Sequence, residues 1–403
     1  MSSSTSSFKI YLKIFLVTTL GMGAAMVAVR LFAYANDASS DTVLSRVNEA
    51  RKALPKILAE EDDLVMAFGS SMTDAGFSSR QFDHELLTYG VKVKSFNFGF
   101  GGLNPFFQDY LSRRIRDAFQ EKDRRLKLAI IEFVPFQATK SRWNGAQPVI
   151  DSFLTILATP EEIWDITLEN PERGIQMANI RYLRDSISAE MITHYFGRSL
   201  SPRGQESKIP EDEEVAKRRA ELRQQVSELF EQDYPEFNDE DWYYPWQGAG
   251  PLPEERSEST MAMLTEYYQT LRTPRIMEND RLGRIQCCDI EELDFEEELV
   301  AGFIRTVENF KEFSDRVEVV LYPRNTKWIH YSPEVQQRLN DVLDRIRRET
   351  GVKVRDFQLL EPFTPEMFRD TTHLVHYSGD VAFTHYLAEE YGPNLASVEV
   401  STP

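Results

Sequence analysis

Five short apolar runs, separated by longer segments, constrain the fold of this chain more than any other feature. Each run is rich in β-branched and aromatic residues and is short enough to be one buried strand. The runs lie at 64–68, 91–98, 126–133, 317–322 and 352–357. Because helical patterns separate several of them, the sequence predicts an α/β fold with a parallel sheet of about five strands covered by helices.

Two of the intervening segments have the periodicity of amphipathic helices. One is an apolar stripe over 299–310, ahead of the fourth run, and the other lies over 335–346, ahead of the fifth. Ser332-Pro333 is a typical helix start, and Gly351 is a typical helix end. Both segments favour an alternation of strands and helices along the chain.

A long interruption separates the third run from the fourth. It carries helix-like patterns, such as 211–232, and an aromatic cluster at 242–246. We expect a mostly helical insertion or cap, with the aromatic cluster packed in its core rather than stacked on sugar rings. The chain then divides into an N-terminal segment (1–35), a polar helical linker (36–60), a first core part (60–149), the insertion (150–295), a second core part (296–395) and a tail (396–403).

The N-terminal segment differs from the rest of the chain in charge. It has no acidic residue and three basic ones, Lys9, Lys13 and Arg30. The uncharged stretch 14–29 is short for a membrane span, but a snorkelling Arg30 extends it to about 20 residues, 14–34. The two lysines predict an inner-membrane signal anchor with the body of the protein in the periplasm. Cleavage after Ala33-Tyr34-Ala35, which gives a secreted protein, is the alternative.

Composition excludes some functions. A net charge of -19 argues against a nucleic-acid partner, because phosphate contacts need clustered basic residues. The two cysteines, Cys287 and Cys288, are adjacent and can pair only in a strained ring, so we expect buried or reduced thiols. The histidines lack the spacing of metal ligands, and we predict neither a metal nor a cofactor.

Small and reactive residues follow three of the predicted strands. Gly69-Ser70-Ser71 ends the first, a glycine-rich segment at 97–104 follows the second, and Asp370 and His373 come after the fifth. In an open α/β sheet, ligands bind outside the carboxyl ends of the strands. We therefore expect a serine, a base, an acid and exposed backbone amides to converge there, as acyl transfer requires.

The same segments resemble blocks I, II and V of the SGNH (GDSL-type) hydrolases. The resemblance covers about 60–145 and 296–395 and implies that family's flavodoxin-like fold. It also implies an oxyanion hole built from the amides of Ser71 and Gly102. The triad implied by the resemblance has a nucleophile, a base and an acid, Ser71, His373 and Asp370.

Two departures from the family pattern are informative. Block I reads Gly-Ser-Ser instead of Gly-Asp-Ser, a form that resembles the envelope O-acyltransferase relatives. The asparagine of block III is missing, because Val134-Pro135-Phe136-Gln137 follows the third strand. Asn104 or Gln137 would then have to supply that donor to the oxyanion hole.

The resemblance and the N-terminal segment together imply an exported serine enzyme. It would be an O-acetyltransferase or esterase that acts on a cell-envelope or extracellular polysaccharide through an acyl-enzyme. Its partners would be an acyl donor, an envelope glycan acceptor and a membrane acyltransferase. The alternative is a weakly active or inactive SGNH-fold envelope protein that binds glycan or scaffolds polysaccharide assembly. The missing block III asparagine favours that alternative.

Overall fold

A five-stranded sheet forms the centre of the protein. The computed structural model describes residues 4–35, 42–183, 212–235, 244–247, 250–361 and 363–399. The strands are β1 (Asp63–Gly69), β2 (Val93–Gly99), β3 (Leu126–Glu132), β4 (Val317–Leu321) and β5 (Lys353–Asp356). All neighbouring pairs are parallel, in the order β2-β1-β3-β4-β5. This confirms the predicted α/β class and the five strands, and the order is that of flavodoxin-like sheets.

The described helices, numbered along the chain, account for most of the remaining structure. They are α1 (Ser4–Ala35), α2 (Thr42–Ile57), α3 (Ser71–Gly76), α4 (Ser79–Leu86), α5 (Pro105–Glu121), α6 (Lys140–Ala146), α7 (Ile150–Leu157), α8 (Pro160–Glu169), α9 (Pro171–Leu183), α10 (Glu213–Asp233), α11 (Tyr244–Gln247), α12 (Glu258–Leu271), α13 (Pro274–Cys288), α14 (Glu297–Phe313), α15 (Pro333–Thr350) and α16 (Gly379–Glu399).

Burial explains why the sequences of the strands are continuous apolar runs. From its second residue onward, β1 is buried throughout, and β3 has only one partly exposed position. Helices cover the sheet in two groups, α5 packing with α14 and α4 with α16. Aromatic rings join the layers, with the centroids of Phe68 and Phe310 4.9 Å apart. Strands enclosed in this way need apolar residues on both faces.

Both predicted core helices are present, and their ends follow from local chemistry. Ser332 Oγ accepts from the amide of Val335 (3.3 Å) at the start of α15, and Pro333 occupies its first turn. Gly351 ends this helix in the left-handed conformation, at φ 70°. The apolar stripe before β4 forms α14, whose inward-facing side chains are buried.

The described residues form two compact units. One combines residues 1–45 with 147–201, and the other combines 46–146 with 202–403. The first unit holds α7, α8 and α9, where Arg173 and Asp151 form an ion pair (2.7 Å). The second unit holds the sheet together with α10 to α13. The segment predicted as one insertion, 150–295, therefore contributes to both units.

The N-terminal segment forms α1, whose large apolar side chains, such as Ile10, Phe15 and Leu20, are exposed. Among the described residues, no helix combines the length and the apolar character that crossing a membrane requires. The signal anchor, and its alternative of cleavage near Ala35, stay predictions.

Two expectations about the interrupted segment have different outcomes. The expectation of two buried or reduced thiols is wrong, because Cys287 and Cys288 form a disulfide at the end of α13, with Cys288 buried and Cys287 exposed. The helix stops there, at Asp289 in the left-handed conformation. Trp246 is fully buried, but it packs against Phe98 of β2 and not in a core of the insertion itself. Trp242 and Tyr243 lie outside the described residues.

Candidate active site

The candidate site lies at the carboxyl ends of the central strands. β1 has β2 on one side and β3 on the other, so the strand order reverses at β1. Crevices at such a reversal are where open α/β sheets bind ligands. β1 ends at Gly69 and α3 begins at Ser71, so Ser71 lies in this crevice region.

The turn between β1 and α3, residues 69–73, is here called the nucleophile turn. Ser70 is the N-cap of α3, and its Oγ accepts from the amide of Met72 (3.1 Å). A Cβ at Gly69 would overlap Thr73 Oγ1 and Glu132 Oε2. Only glycine fits at this position, which explains the first residue of the Gly-Ser-Ser sequence.

Glu132, the last residue of β3, accepts hydrogen bonds from the nucleophile turn. Its Oε2 accepts from the amides of Ser70 (2.7 Å) and Thr73 (3.2 Å) and from Thr73 Oγ1 (2.6 Å). Burial raises the pKa of this carboxyl, although the hydrogen bonds from Thr73 and Ser70 oppose the shift. Glu132 Oε1 has no hydrogen-bond partner within the described part of the chain.

The sequence interpretation did not include Glu132. One signal was present, because this glutamate follows four consecutive apolar residues, Leu128 to Ile131, at the end of the strand. A carboxyl at the end of a buried strand needs hydrogen-bond donors, and the amides of a turn at the neighbouring strand end can supply them.

Ser71, His373 and Asp370 form a continuous chain of hydrogen bonds. Ser71 Oγ lies 2.7 Å from His373 Nε2, and His373 Nδ1 lies 2.7 Å from Asp370 Oδ2. With Nδ1 donating to the carboxylate, Nε2 is free to accept the serine proton. The structure thus brings together the three residues that the sequence singled out, although Ser71 and His373 are 302 positions apart.

The loop at 368–374, here called the Asp–His loop, is folded around Asp370. Asp370 Oδ1 accepts from the amides of Thr372 and His373, both at 2.8 Å. Burial favours the neutral acid, but the charge and hydrogen bond of His373, together with Arg284, hold the pKa of Asp370 well below its usual range. Asp370 is therefore a carboxylate that orients the imidazole and stabilises its protonated form.

A helix outside the sheet supports this loop. Arg284 of α13 places Nη2 3.4 Å from Asp370 Oδ1 and 3.4 Å from His373 Nδ1. Asp280, one turn earlier, pairs with Arg284 Nε (2.9 Å) and accepts from the amide of Thr371 (3.0 Å). Sequence reasoning missed both residues, since 89 positions separate Arg284 from His373 and no local pattern connects them.

Two amides remain for an oxyanion. The amides of Ser70 and Thr73 donate to Glu132 and that of Met72 donates to Ser70 Oγ, whereas those of Ser71 and Gly102 make no hydrogen bond within the described residues. Gly102 is in the left-handed conformation, at φ 78°. Its carbonyl accepts from Arg142 Nη2, and a Cβ at Gly101 would lie 3.8 Å from Ser71 Cβ. The glycine segment therefore approaches the serine closely.

The predicted third donor has a different role. Asn104 is buried and caps α5, its Oδ1 accepting from the amides of Phe106 (3.1 Å) and Phe107 (3.2 Å). Within the described residues, no hydrogen bond joins Asn104 to Ser71 or His373. Gln137 is also buried, and its Oε1 is unpartnered in that part of the chain. Neither side chain makes a hydrogen bond to Ser71 within the described residues.

Two of the other histidines form ion pairs away from the triad. His84 lies 3.2 Å from Glu254 and His385 lies 2.8 Å from Glu85. Across the described ranges, no group of three or more His, Cys, Asp or Glu side chains is placed to hold a metal ion.

Comparison with known proteins adds no further identification. A scan against protein-family models finds no match, and no curated protein sequence matches the chain.

Proposed function

We propose that this protein is an SGNH-type serine acyl-ester enzyme, an O-acetyltransferase or esterase acting on an envelope polysaccharide outside the cytoplasm. The observation that carries the proposal is the hydrogen-bonded chain from Ser71 through His373 to Asp370, with 2.7 Å at each step. Serine, imidazole and carboxylate in this order are the parts of a nucleophilic acyl-transfer site. The resemblance of blocks I, II and V supports the same conclusion.

In the first half-reaction, His373 Nε2 takes the proton of Ser71 as Oγ attacks the acyl carbonyl carbon. The amides of Ser71 and Gly102 stabilise the developing oxyanion. The bond to the donor alcohol then breaks, and His373 returns the proton to the leaving oxygen. An acyl-serine ester remains.

In the second half-reaction, His373 takes a proton from the acceptor hydroxyl as its oxygen attacks the acyl-serine. The ester bond to Ser71 breaks, and Ser71 Oγ recovers the proton. A sugar hydroxyl as acceptor gives an O-acyl glycan, and water gives free acid. We propose a membrane acyltransferase as the source of the acyl group, consistent with the predicted anchor over 14–34.

The test uses the full-length protein with a fluorophosphonate probe and p-nitrophenyl acetate. We expect labelling and turnover in the wild type and neither in Ser71→Ala or His373→Ala. Ser70→Ala is the matched control, because it removes the neighbouring hydroxyl, a cap worth about 1 kcal/mol, and leaves Ser71 in place. Labelling that survives Ser71→Ala would exclude Ser71 as the nucleophile.

One observation favours a second function, a non-catalytic glycan-binding envelope protein. The side chains considered for the third oxyanion donor, Asn104 and Gln137, make no hydrogen bond to Ser71 in the described residues, and Asn104 caps α5 instead. A wild-type protein that is folded and yet neither labelled nor active would support this binding function. Release of acetate compared with acetylation of an added oligosaccharide separates an esterase from a transferase.

A further inference from the structure

A cavity of about 330 Å³ lies next to the candidate site without including the triad. Its lining comes from α3 and the residues just after it, from the segment 250–268 and from the residues that follow the Asp–His loop. Ser71 and His373 are absent from the lining, but Asp74 is three residues beyond Ser71 and His376 is three beyond His373. A volume at the lower end of the range for ligand pockets suits a single ring.

Aromatic rings form much of the wall. Phe77, Tyr268 and Tyr377 line the cavity, and burial raises the pKa of Tyr268 to about 12. The Tyr268 hydroxyl therefore stays protonated. Such a wall offers flat apolar faces together with hydroxyl groups.

Gly250 keeps space open beside one of these rings. A Cβ at Gly250 would lie 2.6 Å from Tyr377 Cε1, and its φ of 149° is one that other residues rarely adopt. The close approach of backbone to ring fixes Tyr377 as part of the wall.

Charged groups in the cavity balance one another. Arg256 lines the cavity, donates to the carbonyl of Tyr377 (2.6 Å) and interacts with the charge of Asp380. Asp74 is also paired with Arg46 (3.1 Å). Asp380 is buried, and its Oδ2 lies 3.6 Å from His376 Nδ1, beyond normal hydrogen-bond range. Arg46 does not line the cavity, but it offsets the charge of Asp74, and Arg256 offsets that of Asp380. The lining therefore favours a neutral ligand over an anion or a cation.

We propose that this cavity binds one neutral sugar ring of a glycan and, if the proposed function holds, places a neighbouring hydroxyl at the acyl-serine. Carboxylates accept hydrogen bonds from sugar hydroxyls, the guanidinium donates to ring and hydroxyl oxygens, and tyrosine faces pack on the apolar face of the ring. Only the placement at Ser71 rests on the proposed function. The binding itself needs no catalysis.

The experiment measures binding to full-length Ser71→Ala protein, which cannot turn the ligand over. Chitotetraose, cellotetraose and maltotetraose are titrated by saturation-transfer NMR. We expect saturable binding of at least one of them. In this background, Asp380→Asn should weaken that binding about 10-fold or more, and Tyr268→Phe about 2- to 10-fold, because each removes a hydrogen-bonding group from the wall.

Tyr267→Phe is the matched control, since Tyr267 is on the same helix but does not line the cavity. The Tyr267→Phe variant should bind the oligosaccharide as tightly as the parent protein. Thermal melting checks that all variants fold. The proposal would be overturned if none of the three oligosaccharides bound. It would also be overturned if Asp380→Asn and Tyr268→Phe bound them as tightly as the parent Ser71→Ala protein. Labelling of wild-type Ser71 without sugar binding would refute the cavity site alone. Sugar binding without labelling would refute the proposed function and leave the cavity site standing.

Discussion

The nucleophile turn and the Asp–His loop meet at one point but are held there in different ways. The nucleophile turn is fixed by the sheet, through the buried Glu132 and the absence of space at Gly69. The Asp–His loop is held partly from outside the sheet, by Asp280 and Arg284 of α13. Arg284 is partly exposed, whereas Glu132 is fully enclosed.

Because of this difference, substitutions in the two regions should affect the stability and the activity of the protein to different extents. Contacts buried in the core contribute to folding as well as to geometry, since removing one leaves unsatisfied groups without water. Contacts from a partly exposed helix contribute less to folding. We therefore expect changes below the nucleophile turn to affect both properties and changes in α13 to affect mainly the reaction.

The largest effect is expected at Glu132. Glu132→Ala removes the acceptor of three buried donors and should lower the free energy of unfolding by about 3 kcal/mol or more, with loss of fluorophosphonate labelling. Denaturant unfolding measures the first quantity, and the labelling rate measures the second.

Glu132→Gln is the matched control, because it keeps one acceptor oxygen in the same place. It should cost about 1 kcal/mol at most and retain labelling. A Glu132→Ala protein as stable as the wild type would contradict the assigned role of this carboxyl.

An intermediate effect is expected at Arg284. Arg284→Ala should slow fluorophosphonate labelling by about 10- to 100-fold, because the Asp–His loop loses a contact that orients it. Arg284→Lys should recover part of the rate by keeping the charge. The melting temperature should change little in either variant.

Arg281→Ala provides the comparison on the same helix. Arg281 pairs with Glu278 (3.1 Å) and Glu291 (2.7 Å) and makes no recorded contact with the Asp–His loop among the described residues. Its labelling rate should stay near that of the wild type. Equal losses in the Arg281 and Arg284 variants would assign the effect to helix stability rather than to orientation of the loop.

The smallest effect is a pH dependence of opposite sign in the two regions. The pKa of Glu132 is raised on folding, so its contribution to stability falls as the pH rises from about 4.5 through the folded value. The pKa of Asp370 is lowered, so its contribution is present above about 3.8 and is lost as the pH falls through the folded value.

Unfolding free energies of Glu132→Gln and Asp370→Asn, each compared with the wild type over a range of pH, test these signs. Relative to the wild type, the first variant should become more stable as the pH rises above about 4.5. The second should become less stable as the pH rises toward about 3.8. Parallel pH profiles would show that the two carboxyls do not titrate as their surroundings imply.

Much of the fold could be predicted because its signals are local. Strand positions follow from continuous apolar runs, and the ends of α15 follow from Ser332, Pro333 and Gly351. The disulfide between Cys287 and Cys288 was not predicted, because the sequence shows that the two residues are adjacent but not whether their sulfurs bond. The division of 150–295 between two units also depends on contacts that no short window of sequence contains.

The sequence alone was enough to locate the strands and to single out Ser71, just after β1, and Asp370 and His373, in a segment beyond β5. Tertiary structure alone decided that Glu132 holds the nucleophile turn, that Arg284 reaches the Asp–His loop, and that Asp380 and Tyr268 share a cavity. The physical reason is the range of the interactions. Strand and helix formation depends on neighbouring residues, whereas hydrogen bonds across the sheet edge join residues that only folding brings together.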